Sequence, residues 1–212
     1  MYNPTCFQYH MNGSSESINF FKKNSKLEDY IKIYDNIIND ETCDEIVTEY
    51  KDSHEWDLGR LEHGRVDSNI RSCDTIYMST KKSFEFNYTK RKQLDNIIFE
   101  KTGDALSRYR KDTCCEFLKF INTDSGYNLL RYREGGFIRQ HTDHGKTASR
   151  SISLSICLND NYKGGEFAFF DKELTFNLKK GSAIIFPSNF LYPHEIMSIS
   201  NGTRYAIVTW FD

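Results

Sequence analysis

The sequence predicts an α+β fold, with a C-terminal sandwich or jelly-roll barrel of short strands and helices packed on its outside. Three observations carry this prediction. From about residue 114 onward, short runs rich in β-branched and aromatic residues follow one another at roughly 8–12-residue spacing, with turn signals between them. Before residue 110 the apolar residues recur at helical spacing in two stretches. The chain has 212 residues, with 12 glycines and three prolines. That fills one domain and leaves little for linkers or a second one.

Taken in order, residues 1–25 are polar and rich in Asn and Ser, and read as a tail or irregular cover. Residues 26–212 form the expected single domain, with a barrel core at about 114–212. Residues 31–35 alternate like a strand. Asp40 then caps a helical run whose Cys43, Ile46, Val47 and Tyr50 share one face. Residues 54–70 are charged, carry Gly59 and Gly64, and read as a long exposed loop. A strand is expected over 71–78 and a long helix over 89–110, burying Leu94, Ile97, Ile98 and Leu106. Strands follow at 117–121, 127–133, 137–143, 151–158, 166–170, 174–178, 183–186, 195–199 and 204–211. Gly135-Gly136, Gly164-Gly165, Gly181 and Asn201-Gly202 are among the breaks between them.

Charge and composition narrow the classes. Lys+Arg is 28 and Asp+Glu 30, a net charge of −2, which argues against a globally basic nucleic-acid binder but leaves room for a local basic groove. No apolar stretch approaches the ~18–20 residues of a membrane span, and the N-terminus lacks a secretory pattern. The six cysteines show no CxxC spacing and read as free thiols in a reducing compartment. The expected location is the cytoplasm, that of a host cell if the source is viral.

Chemistry concentrates in His141-Thr142-Asp143-His144, at the end of the 137–143 run. Residues i and i+2 of a strand face the same way, so His141 and Asp143 are expected to project together into the barrel mouth. His194, 51 residues beyond Asp143, is the candidate third ligand. Two imidazoles and one carboxylate with open positions suit non-haem Fe(II); zinc accepts the same donors, so the set alone leaves the metal open. HxD by itself is a common pair. Arg204 adds weight: it lies ten residues after His194 and opens an apolar, β-branched strand. A buried guanidinium needs a partner, and its planar fork fits a bidentate carboxylate. The competing reading is an ordinary salt bridge to a protein acid.

Four stretches of residues 127–212 carry a family resemblance. They are Tyr132 to Gly135 with His141-Thr142-Asp143, then Arg150 to Asn159 with Gly164-Gly165-Glu166. Gly181 to Pro187 with Pro193-His194-Glu195 is the third, and Gly202 to Trp210 with Arg204 the fourth. Together they resemble the Fe(II)/2-oxoglutarate-dependent dioxygenases, and within them the prolyl hydroxylases. Val66-Asp67 and Arg71-Ser72 look like the R-[ST]-S region of prolyl 4-hydroxylases. The resemblance implies a double-stranded β-helix (jelly-roll) barrel with supporting N-terminal helices. It implies Fe(II) on His141, Asp143 and His194, with 2-oxoglutarate and O2 as co-substrates. Arg204 would pair with the distal carboxylate of 2-oxoglutarate, Tyr132 would hydrogen-bond the same end, and Trp210 would line the co-substrate pocket.

Departures matter as well. Cys157 stands where hypoxia-type enzymes have a tyrosine that helps hold 2-oxoglutarate, so the anchoring falls to Tyr132. Collagen-type enzymes use lysine where Arg204 stands. Related halogenases lack the carboxylate, so Asp143 favours hydroxylation. The expected activity is hydroxylation of a peptidyl proline with release of succinate and CO2, the 54–80 segment closing over an extended peptide. A free amino acid or other small molecule is the alternative substrate, and a non-enzymatic jelly-roll metal-binding module the alternative function. Nucleic-acid demethylases of the superfamily carry a second arginine where Trp210 stands, which counts against a nucleic-acid substrate. Arg60, Arg65 and Arg71 read either as a solvated loop or as a basic patch gripping an acidic or extended substrate.

Overall fold

The structure is a computed structural model that describes residues 25–61, 64–79, 88–146 and 149–212. The expected tail lies outside the described residues except for Ser25. Strand β1 (Lys32–Tyr34) leads into α1 (Asp40–Tyr50). The cap of this helix is Asn39 rather than Asp40: its side chain accepts the Thr42 N–H at 2.9 Å. Asn39 has extended backbone angles, which leaves Asp40 in the first turn, where its charge faces the helix N-terminus. After β2 (Asp57–Leu58), β3 (Arg71–Ser72) and β4 (Asp74–Tyr77) comes the long α2 (Tyr88–Thr113).

The expected strand over 117–121 is a 3-10 turn, Glu116–Phe120. Its phenylalanines, Phe117 and Phe120, are exposed while Leu118 turns inward. The carbonyls of Leu118 and Ile121 accept from the Arg110 guanidinium, so a side chain takes the acceptors that a neighbouring strand would need. Ten strands follow. They are β5 (Asn128–Tyr132), β6 (Phe137–His141), β7 (Ile152–Cys157), β8 (Lys163–Gly164) and β9 (Phe167–Phe169), then β10 (Leu174–Phe176), β11 (Ala183–Pro187), β12 (His194–Ile196), β13 (Ile199–Asn201) and β14 (Arg204–Phe211). The run expected as one strand over 195–199 is thus divided between β12 and β13.

Two antiparallel sheets hold most of these strands. One has seven strands in the order β1-β11-β7-β14-β5-β4-β2, the other five in the order β10-β9-β12-β6-β3. Strands from before residue 80 therefore widen both sheets. The expected single strand over 71–78 changes sheet at Cys73: β3 pairs with β6 and β4 with β5. The sheets share a core in which Leu130, Tyr132 and Phe186 meet Ile138, Phe167, Phe169 and Ile196, so they lie face to face.

The outer face of the larger sheet buries Leu129, Leu154, Ile156, Ile185 and Ile207 against Ile46 and Tyr50 of α1 and Leu94, Ile98 and Leu106 of α2. Each such aliphatic side chain contributes roughly 1.5–3 kcal/mol by leaving water. Strand β7 shows how the residue pattern divides these roles. Ile152, Leu154 and Ile156 join the helix-side core, whereas Ser153 and Ser155 face the space between the sheets. Small polar residues on that face leave room there.

Candidate active site

His141 is the last residue of β6 and His194 the first of β12, and the two are directly paired in register. Their ring centroids lie 4.4 Å apart. Asp143 lies two residues past the end of β6, not on the strand as expected. A hydrogen bond, not the strand pleat, brings its carboxylate in: Ser153 Oγ donates to Asp143 Oδ2 at 2.6 Å, and Ser188 Oγ sits 2.7 Å from Ser153 Oγ. The imidazole Nε2 atoms of His141 and His194 are each 3.5 Å from an Asp143 oxygen. One ligand atom from each of the three residues lies within 4.8 Å of the others.

The imidazoles are fixed from behind. Nδ1 of His141 is 2.9 Å from the Arg139 carbonyl, and Nδ1 of His194 is 3.1 Å from that of Tyr192. A carbonyl only accepts, so each Nδ1 carries the proton and each Nε2 turns a lone pair toward the carboxylate. Three electron-rich atoms aimed at one point fit a divalent cation. Burial opposes ionisation of Asp143, but the facing His194 and His141 and the Ser153 hydroxyl outweigh it and hold the carboxyl well below the usual carboxylate range. Burial, reinforced by His141 and opposed by Asp143, pulls His194 down from 6.5 to about 4.

That depression gives a signed pH dependence. Between the two values the unfolded chain binds a proton that the folded chain refuses, so the stabilisation is complete above pH 6.5 and is lost toward pH 4. The metal-free protein should lose about 3 kcal/mol across this window from His194 alone. Urea unfolding at pH 7 and pH 4.5 measures it, with His194→Gln as the reference. Equal losses in parent and variant would refute the assignment.

The triad opens onto a cavity of about 580 Å³ between the sheets. Arg204, the first residue of β14, is 2% exposed and pairs in register with Tyr132 of β5. Its guanidinium carbon lies 5.3 Å from the Tyr132 ring centroid and 5.8 Å from that of Phe167. The expected competitor, a protein carboxylate, does not reach it among the described residues, and its Nε is buried without a hydrogen-bond partner. The Ser155 hydroxyl, which lines the same cavity, is also unpartnered. A ligand in the cavity would supply partners for both groups.

The Tyr162 phenol lies beside the Arg204 guanidinium and helps hold it charged, and it is 3.5 Å from Cys157 Sγ. Burial pushes the Tyr132 and Tyr162 phenols up, so both stay protonated as donors. Gly165 permits this approach. It has φ +74°, and a Cβ there would stand 3.1 Å from Arg204 Cδ, 3.2 Å from Tyr162 Cε2 and 2.5 Å from Ile199 Cδ1.

Residues 127–212 match the sequence model of the 2OG-Fe(II) oxygenase superfamily. A PKHD-type hydroxylase of Prochlorococcus marinus is 33% identical over 167 residues, 73% of this chain and 75% of that protein. The chain belongs to the 2OG-Fe(II) oxygenase superfamily. Membership names the metal and co-substrates, Fe(II), 2-oxoglutarate and O2, and the His-Asp-His donor set and the buried guanidinium with its unpartnered Nε fit them. A rat multifunctional procollagen lysine hydroxylase and glycosyltransferase is 25% identical over 184 residues, 83% of this chain. The chain spans only 22% of its length. Among solved structures, a Trichoplax adhaerens prolyl hydroxylase bound to a hypoxia-inducible factor peptide has a TM-score of 0.71 at 16% identity. It covers 86% of this chain and 83% of its own. That likeness shows the jelly-roll fold of the oxygenases.

Within this oxygenase the residues picked out from sequence, His141, Asp143, His194, Arg204, Tyr132 and Trp210, all line one cavity. Trp210 presents a ring face covered by the Arg150 guanidinium at 3.5 Å. Sequence reasoning missed Ser153, Ser155, Tyr162 and the position of Arg150. The serines left a signal, since β7 alternates Ser with Ile and Leu in a strand buried throughout. Arg60, Arg65 and Arg71 belong to the cavity lining, and Arg71 is partly buried. Among the described residues no helix is long and apolar enough to cross a membrane.

Proposed function

We propose that the chain hydroxylates a C–H bond of a peptidyl proline, coupled to oxidation of 2-oxoglutarate: R–H, O2 and 2-oxoglutarate give R–OH, succinate and CO2. The observation that carries this reading is the juxtaposition of three convergent metal donors with a buried guanidinium that meets no carboxylate among the described residues. We read residues 26–212 as one domain whose sheets close into a double-stranded β-helix. His141, Asp143 and His194 would hold Fe(II), which when bound supplies O2 activation and chelation of the 2-oxo acid.

The chain's own residues orient and protect. The Arg139 and Tyr192 carbonyls fix the imidazole tautomers, and Ser153 fixes the carboxylate. Arg204 would bind the distal carboxylate, with O–H donors from Tyr132 and Tyr162 on either side. Tyr162 thus supplies a phenol next to Cys157, where the expected tyrosine is absent. Apolar walls from Leu130, Ile138, Phe167 and Ile196 keep water from the reacting centre.

The charge of the cavity favours proline over the lysine named for the rat relative. Of the five arginines that line it, Arg71 and Arg150 meet no carboxylate within 4 Å among the described residues, and Asp143, its carboxylate, belongs to the metal donors. A lysine ammonium entering there would be repelled, whereas a prolyl ring is neutral. The test needs no substrate: protein loaded anaerobically with Fe(II) and 2-oxoglutarate is exposed to O2, and succinate is quantified. Succinate should depend on both additions and fall to background in Asp143→Ala. If succinate forms equally without Asp143, the reading is wrong.

A further inference from the structure

The arginines of the cavity are not equivalent. Asp143, Arg204, a ferrous ion and the 2-oxoglutarate dianion sum to zero formal charge. On the rim, Arg60 pairs with Asp57 at 2.7 Å and Arg65 approaches Asp67 at 4.0 Å. Arg71 and Arg150 remain. Among the described residues neither meets a carboxylate within 4 Å.

The Arg150 guanidinium carbon sits over Trp210, 3.5 Å from the ring centroid, and its hydrogen bond is a long one, 3.5 Å from Nη1 to the Asp143 carbonyl oxygen. The contact with the ring restrains the guanidinium and, among the described residues, leaves its other N–H donors for a ligand. Arg71 is held at the corner where the chain changes sheet. Its Nε contacts Cys73 Sγ at 3.0 Å, Nη1 donates to the Arg60 carbonyl at 3.1 Å, and Nη2 reaches Thr75 Oγ1 at 3.4 Å. These acceptors are uncharged. They orient the cation without neutralising it, and a Cβ at Gly59 would stand 2.6 Å from its Nε, so the loop packs directly on it. Burial lowers the Arg150 guanidinium's affinity for its proton; Asp143 and Asp212 attract the cation from beyond ion-pair distance, and Arg71 repels it. Two fixed guanidiniums beside a reaction centre, neither in an ion pair among the described residues, make an anion site.

We infer that Arg150 and Arg71 form an anion subsite, so that the substrate peptide carries a carboxylate side chain, glutamate or aspartate, next to the hydroxylated residue. This rests on the peptidyl reading above and adds the sequence context of the target. Peptide carbonyls could use the same donors, but they would leave both guanidiniums without an ion-pair partner. An isosteric Glu/Gln pair separates the two cases.

The experiment uses short proline peptides with Glu or Gln directly before or after the proline. Their binding to the anaerobic protein loaded with Fe(II) and 2-oxoglutarate is measured by calorimetry. At one of the two positions the Glu peptide should bind roughly 10–100-fold tighter than its Gln isostere, the range of charge-assisted hydrogen bonds. The preference should shrink with added salt, vanish in Arg150→Gln and weaken in Arg71→Gln. The charge-transfer absorption of bound 2-oxoglutarate checks that each variant keeps its folded site. Equal binding of Glu and Gln peptides at both positions would overturn the subsite and leave peptidyl hydroxylation standing. If no peptide binds while 2-oxoglutarate does, the peptidyl reading falls and the subsite with it. Glu-selective binding without hydroxylation would support the subsite and refute the proposed reaction.

Discussion

His194→Ala should abolish both iron retention and succinate formation. His194 is 4% exposed, opens β12, and faces His141 across one pair of the ladder. Removing its imidazole leaves one nitrogen and one carboxylate at the centre. Loss of a mere supporting partner of a metal ligand costs roughly 10–100-fold in affinity, and loss of the ligand itself exceeds that. The variant should still fold, since truncation at β12 leaves the Phe167, Phe169 and Phe186 rings packed around the gap. Its sheet content can be checked by circular dichroism. Iron content after dialysis is the direct readout. Stoichiometric iron in a folded His194→Ala protein would show that the metal, if bound, sits elsewhere.

Arg204→Ala should separate the co-substrate from the metal. Iron binding should be close to that of the parent, because Arg204 is not among the convergent donors. The affinity for 2-oxoglutarate should drop roughly a hundred- to ten-thousandfold, the loss of two charge-assisted hydrogen bonds at about 1.5–3 kcal/mol each. Tyr162→Phe removes one donor beside the same guanidinium and should cost roughly tenfold. Anaerobic titration followed by the charge-transfer absorption reads both variants without requiring turnover. If Arg204→Ala binds 2-oxoglutarate like the parent, the carboxylate partner of this site is some other residue. If only Tyr162→Phe is silent, the phenol serves packing.

The parts of the site legible in the sequence are those that recur as short local blocks. His141 and Asp143 are two residues apart, and His194 and Arg204 each fall within a block of recognisable residues. The parts that stayed hidden depend on contacts between distant segments. Tyr162 reaches Arg204 because Gly165 has a positive φ and no Cβ, and a glycine pair in sequence reads merely as a turn. Ser153 reaches Asp143 from the neighbouring strand of the other sheet, a contact to which no local period points. The expectation that Asp143 lies on β6 extrapolated the strand by two residues, although side-chain hydrogen bonding can place a ligand just as well as a pleat. The run over 117–121 misled for a related reason: its aromatic content resembles a strand, but Arg110 occupies its carbonyls.

The alternation along β7 has a consequence for how such a protein can change. Ile152, Leu154 and Ile156 hold the strand to the helices, while Ser153 and Ser155 point into the cavity. Residues that secure the fold and residues that meet a ligand therefore occupy opposite sides of one extended segment. Mutational drift on the cavity side can reshape what the site accepts at small cost in folding free energy, because the aliphatic contacts with the helices remain. A scaffold so partitioned is evolvable: one architecture can be retuned toward new substrates by exchanging a few inward side chains.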